Sequence, residues 1–225
     1  SEAEEKAKPA GTPQMTIDQA FADPKIVAGI RAEANQEWIR QANPGPAVAA
    51  TGDEQTTSRD GKPIGVRTYR PTAEATLPVL VYYHGGGWVI GNVEAIDRSM
   101  RLLADVSKVI VVSVDYRLAP ENPYPASWDD AEDAFDWTVA NAARLGGDPS
   151  RICVGGDSAG GNMAVVVTSR TRKASKPSPA CQLLYYAAVD NRPVPEMRKD
   201  YVSARLFWQG FGLDVPFTEC LHRAV

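Results

Sequence analysis

The chain has 225 residues, of which 44% are hydrophobic and 23% charged. That balance belongs to a globular domain with a core of its own. A formal net charge of -4 argues against nucleic acid or an anionic membrane surface as the main partner. No apolar run reaches the roughly 18 residues of a transmembrane helix.

The N-terminal stretch Ser1-Glu2-Ala3-Glu4-Glu5 is polar and acidic, unlike an intact signal peptide. It leads to the expectation of a cytoplasmic protein, with a removed leader left open. Residues 1–15 read as a disordered leader. Asp23-Pro24 looks like an N-cap followed by proline at the first helical position. Ile26, Ile30, Ala34 and Trp38 then recur at helical spacing, up to the break at Asn43-Pro44-Gly45-Pro46. Strand-like pieces follow at Ala47–Thr51 and Gly65–Arg70, the second introduced by the turn signal Asp60-Gly61.

Leu77–Tyr83 is continuously apolar, as a strand buried on both faces should be. It runs into His84-Gly85-Gly86-Gly87-Trp88. Ile96, Met100 and Leu103 mark a helix, and Val109–Val114 the next buried strand. That strand opens into Asp115-Tyr116-Arg117-Leu118-Ala119-Pro120-Glu121, a proline-stiffened turn that reads as a rigid brace with an Arg117–carboxylate pair. Ser127 with Asp130 resembles a capping arrangement, and the following helix stops at Gly146-Gly147. Ile152-Cys153-Val154 is a strand, Asn162–Arg170 a helix and Cys181–Tyr186 a further strand. This β-α-β-α-β alternation predicts an α/β fold with a mainly parallel sheet. Cys153, Cys181 and Cys220 lack metal-ligand spacing and read as buried free thiols.

Three stretches carry chemistry. Gly156-Asp157-Ser158-Ala159-Gly160-Gly161 holds Gly-x-Ser-x-Gly between a strand and a helix, the setting of a nucleophile elbow. A glycine-rich helix entry with an incidental serine is the plainer alternative. His84–Gly87 lies at the end of a buried strand, where glycines let backbone N–H groups face a cavity at close range. A simple glycine turn is the alternative; a phosphate loop would want a following Lys-Ser/Thr, which is absent. His84 itself reads as ordering that loop by hydrogen bonds rather than as a base. From physics alone the Asp115–Glu121 turn has no assigned chemistry.

In this order, His-Gly-Gly-Gly-Trp, Asp-Tyr-Arg-Leu-Ala-Pro-Glu and Gly-Asp-Ser-Ala-Gly-Gly resemble the hormone-sensitive-lipase-like family of α/β-hydrolases. The resemblance implies a carboxylic ester hydrolase for short- to medium-chain esters, with no cofactor. It implies an α/β-hydrolase fold, a mainly parallel sheet flanked by helices, with an N-terminal cap helix. Ser158 would be the nucleophile. Gly86, Gly87 and Ala159 would donate to the oxyanion, with Gly85 as a neighbouring candidate. Residues 16–46 would form the N-terminal cap helices, 47–190 the hydrolase core, and 191–225 a cap-like helix with an atypical tail. The family also places an acid and a histidine on later loops. Asp190, Asp200 or Asp214 with His222 has the right order, and the stretch after Tyr186 barely holds one more strand–helix unit. The expectations that follow are missing C-terminal strands, an impaired triad and an apolar edge at Cys181–Tyr186 open to self-association. A truncated inactive product and a small-ligand-binding pseudo-hydrolase are the alternatives. A small ester is the expected partner.

Overall fold

A computed structural model describes residues 23–41, 45–73 and 76–189. The leader at 1–15, Cys220, Asp190, Asp200, Asp214, His222 and the segment 191–225 lie outside the described residues. Among the described residues ten elements follow one another: α1 (Pro24–Gln41), β1 (Ala50–Thr57), β2 (Pro63–Arg70), β3 (Leu77–Tyr83), α2 (Asp97–Ser107), β4 (Ile110–Asp115), α3 (Ala126–Asn141), β5 (Gly147–Asp157), α4 (Ala159–Lys173) and β6 (Gln182–Tyr185).

The strands form one sheet in the order β1-β2-β4-β3-β5-β6. β4, β3, β5 and β6 run parallel, whereas β1 and β2 are antiparallel additions at one side. Alternation along the central strands sorts side chains onto two faces. Val79, Val81 and Tyr83 of β3 and Ile110, Val112 and Val114 of β4 face Trp128, Ala131 and Phe135 of α3 and Met163, Ala164 and Val167 of α4. Leu80, Tyr82 and Val111 face Met100 and Ala104 of α2 on the other side. Each such aliphatic side chain contributes roughly 1.5–3 kcal/mol on burial, so β3, covered on both faces, anchors the molecule.

Three local expectations need correction. β1 starts at Ala50, not Ala47, and extends to Thr57 in unbroken register with β2. Its polar alternation, Gly52-Asp53-Glu54-Gln55-Thr56, belongs to an outer strand half-open to water, so apolar content did not mark it. Ser127 and Asp130 do not cap α3. Ser127 Oγ instead donates to the Arg117 carbonyl at 2.6 Å, and the buried Asp130 carboxylate takes Arg117. Finally, Cys153 and Cys181 are not free thiols but a disulfide, 28 residues apart in sequence. The α4 crossover returns the chain beside β5 in parallel register, with Val154 opposite Gln182. The preceding residues, Cys153 and Cys181, therefore meet with Cα atoms 4.7 Å apart, within bridging range.

β6 closes one side of the sheet among the described residues, and Leu184, Tyr185, Tyr186 and Val189 are exposed there. α1 does not pack on the sheet. Val27 joins Val89 and Ala119 in a small separate cluster over the loops after β3 and β4. Arg31 pins it there, donating to the carbonyls of Val89 (2.6 Å) and Ala119 (2.9 Å) and pairing with Glu121 at 2.7 Å. No helix among the described residues is long and apolar enough to cross a membrane.

Candidate active site

Register builds the site. Tyr83 at the end of β3 is paired with Gly156 near the end of β5. His84 and Asp157, the next residue of each strand, therefore leave the sheet side by side at its carboxyl rim, although 72 residues separate Gly85 from Asp157. Ligands of open α/β sheets bind at that rim.

Ser158 links β5 to α4 with φ +51° and ψ −116°. A non-glycine residue there is strained by about 1–3 kcal/mol, and such strain concentrates at functional positions. Its backbone is held on both sides: Ser158 N–H donates to the Tyr185 carbonyl at 3.0 Å, and its own carbonyl accepts from Ala188 at 3.0 Å and Asn162 at 3.1 Å. Its half-buried side chain makes no hydrogen bond to another described residue. The turn is possible because α4 begins almost in contact with β3. A methyl on Gly160 would overlap the Tyr83 carbonyl oxygen and lie 2.7 Å from that of His84. The Ala159 N–H, in the first turn of α4, belongs to the unpaired donors at a helix start.

The glycine loop is held from three directions. Gly85 N–H donates to Asp157 Oδ1 at 3.0 Å. The Gly85 carbonyl lies 2.7 Å from His84 Nδ1, which must then carry the proton, because a carbonyl can only accept. The Gly86 carbonyl accepts from Val89 at 3.1 Å and Ile90 at 3.0 Å. In a trans peptide the N–H points opposite the carbonyl. The Gly86 and Gly87 N–H groups are therefore turned away from the His84 ring and from the 86–90 turn. Gly86 (φ +119°) and Gly87 (φ +59°) both adopt the left-handed side of backbone space, where glycine carries no steric cost.

His84 is fully buried and stacks on Tyr116 with ring centroids 4.3 Å apart. The Tyr116 hydroxyl donates to the His84 carbonyl at 2.7 Å. Burial pushes the imidazole pKa below its ordinary value, so the ring is neutral near pH 7. An enclosed ring with Nδ1 committed to Gly85 has the geometry of a scaffold for the loop.

The turn after β4 braces the loop from behind. Arg117 forks onto Asp130 at 2.6–3.1 Å and reaches Asp60 at 2.7 Å. Asp130 also accepts the Arg117 N–H at 2.9 Å, and Ala119 N–H donates to the Trp88 carbonyl at 2.9 Å. Hydrogen bonding to Asp130 raises the Arg117 pKa, and bonding to Arg117 holds the Asp60 carboxyl at about 2. The brace and its Arg117–carboxylate pair are thus as the sequence suggests, but Asp130 as the partner was not legible. Nor was Asp157, although it sits inside the Gly-x-Ser-x-Gly pattern: only strand register brings Gly85 to it. An open polar groove of about 360 Å³ lies under α1, lined by Arg31, Asn35, Asp115, Tyr116 and Glu121. It contains neither Ser158 nor the glycine loop. No group of His, Cys, Asp and Glu among the described residues is arranged to hold a metal.

A strained serine between strand and helix, beside a glycine loop with outward N–H groups, on a sheet of this order, defines a class. The chain belongs to the α/β-hydrolase fold family, whose profile matches residues 80–221. Among its relatives is the carboxylesterase NlhH of Mycobacterium tuberculosis, 45% identical over 175 residues, covering 72% of this chain and 55% of the relative. The carboxylic ester hydrolase LipN of the same organism is 38% identical over 179 residues, covering 77% of this chain and 47% of LipN. An ester hydrolase from the Lake Arreo metagenome superposes with a TM-score of 0.80 at 37% identity, over 94% of this chain and 64% of that structure. The chain spans about half the length of the curated relatives it matches.

Proposed function

We propose that the chain is a carboxylic ester hydrolase working through a serine acyl-enzyme on short- to medium-chain esters. The observation that carries the reading is Ser158 at φ +51°, with the loop 84–87 tied beside it through Asp157 at 3.0 Å. The names of the relatives, carboxylesterase and ester hydrolase, support the same class.

Ser158 Oγ attacks the ester carbonyl, and the negative charge that develops on its oxygen is met by the N–H groups of Gly86, Gly87 and Ala159. Such a donor is worth roughly 10²–10³ in rate, because it is aimed before the charge appears. Gly85 N–H is engaged by Asp157, so its contribution is to hold the loop, as is that of His84. The alkoxide leaves as alcohol, and water then attacks the acyl-enzyme carbonyl to release the acid and free Ser158. A base must take the Ser158 proton and give it to the departing alkoxide, then take one from the attacking water and return it to Ser158. His222, with Asp190 or Asp214 as its acid partner, is the candidate, in the chain order Ser, acid, His of this fold.

The Cys153–Cys181 bridge favours an oxidising compartment over the cytoplasm expected from the N-terminal sequence, since cytosolic thiols are kept reduced. The exposed side chains of β6 are the proposed route of self-association.

The test is a fluorophosphonate label and p-nitrophenyl acetate or butyrate turnover, with Ser158→Ala in parallel. Labelling and turnover that both vanish in the variant support the esterase. A wild-type chain that neither labels nor turns over, yet binds a short-chain carboxylate tightly, would establish the pseudo-hydrolase instead.

A further inference from the structure

Asp157 is the last residue of β5 and is bonded covalently to Ser158. Its Oδ1 accepts two hydrogen bonds, from Gly85 N–H and from the Tyr82 hydroxyl, both at 3.0 Å. The carboxylate also packs against Gly85, where a methyl would collide with Oδ2 and sit 3.0 Å from Cγ. Tyr186, just past β6, lies beside the same group, and its phenol pKa is raised by burial first and by the Asp157 charge second. The ends of β3, β5 and β6 thus converge on one carboxylate.

We propose that Asp157 is a positioning residue for the oxyanion loop of the ester-hydrolase reaction, an inference that rests on that reading of Ser158. Asp157 occupies the Gly85 N–H, so the donors left facing outward are those of Gly86 and Gly87. Because it adjoins Ser158, it also sets their distance from the attacking oxygen through a single covalent step. Charge is not what this job requires. A carboxylate near a forming oxyanion opposes it, whereas the loop needs only an acceptor oxygen at the Oδ1 position. Asparagine supplies that oxygen to Gly85 N–H and Tyr82 Oη alike; alanine supplies nothing.

The role therefore separates Asp157→Asn from Asp157→Ala. In the full chain, Asp157→Ala lowers kcat for p-nitrophenyl butyrate by about 10- to 100-fold, the cost of a donor displaced by about an ångström. KM stays within about threefold, because uniform binding is not what was removed. Asp157→Asn restores kcat to within about threefold of wild type. Tyr82→Phe, which leaves the Gly85 bond, stays within about fivefold of wild type. Hydrogen exchange of the Gly85 amide reads the tie without any activity: about tenfold or more faster in Asp157→Ala and unchanged in Asp157→Asn. If the wild type turns over ester and Asp157→Ala keeps its kcat, the proposal is wrong. It is equally wrong if Asp157→Asn is as damaged as Asp157→Ala. If the wild type neither labels nor turns over, the ester-hydrolase reading fails, and the exchange result decides alone. Unchanged Gly85 exchange in Asp157→Ala then refutes the tie, and accelerated exchange confined to 85–87 upholds it.

Discussion

Reducing the Cys153–Cys181 bridge tests the fold at the point where it supports Ser158. The bridge spans 28 residues of sequence, a loop that contains all of α4 and the strained serine. On the chain-entropy argument, cross-linking a loop of that length removes about 3.5 kcal/mol of disorder from the unfolded chain. For a domain of this size that corresponds to roughly 7–14 °C in Tm. The effect should be uneven. β6 is four residues long and pairs only with β5 among the described strands. Its far end supplies the Tyr185 carbonyl to Ser158 N–H, and Ala188 N–H beyond it returns to the Ser158 carbonyl. Loss of the bridge should therefore release β6 first and loosen the backbone on one side of Ser158, while β3 and β4 stay protected. The assay compares oxidised protein, protein in tris(2-carboxyethyl)phosphine and the double variant Cys153→Ala/Cys181→Ala by calorimetry and by hydrogen exchange. The expected pattern is the stated loss of Tm, with early exchange at 182–188. A shift below about 2 °C in both reduced and double-variant protein, or Cys153 and Cys181 both alkylated without reductant, would refute the reasoning.

Other substitutions probe the same geometry. Ser158→Gly should raise stability by about 1 kcal/mol, since glycine relieves the positive φ at some entropic cost, while abolishing phosphonate labelling; denaturant melts read the first effect. Gly160→Ala should cost about 3 kcal/mol or more, or fail to yield soluble protein, because a methyl there overlaps the Tyr83 carbonyl. Asp130→Ala, which removes the buried acceptor of the Arg117 fork while Asp60 still holds one arm, should cost about 2–3 kcal/mol by urea titration. In acid, α1 should loosen first. Bonding to Arg31 holds Glu121 below its ordinary pKa of 4.5, so its contribution is full above that value and is lost as pH falls through the lowered one. Exchange of the α1 amides, corrected for intrinsic rate, should rise below pH 4.5, and Glu121→Gln should reproduce the rise at pH 7.

What the sequence made legible is what short stretches determine. β3 and β4 are apolar without interruption because both of their faces are covered, and that burial shows in composition. The elbow and the glycine loop are legible because a sharp strand-to-helix turn and a close backbone approach demand small residues at fixed spacing. The brace from Asp115 to Ala126 could be read as rigid from Pro120, Pro123 and Pro125. The partners could not be read. Asp130 for Arg117, Cys181 for Cys153, Glu121 for Arg31 and Asp157 for Gly85 are all pairings between separate elements, and residue type suggests only that some partner exists.

One fact governs the site among these pairings: β3 and β5 are neighbours, although α2, β4 and α3 lie between them in sequence. With β4 placed on the other side of β3, the chain must cross back over β3 to lay down β5. The register Tyr83↔Gly156 then delivers His84 and Asp157 to the rim together. A shift of one residue along that pairing moves Asp157 by about 3.3 Å and turns its side chain to the opposite face. The 3.0 Å bond to Gly85 would then be lost. The Gly-x-Ser-x-Gly pattern would survive such a shift unchanged, and so would the glycine loop. The meaning of each motif thus resides in strand order and register, and the acceptor at position 157 is where that register becomes chemistry.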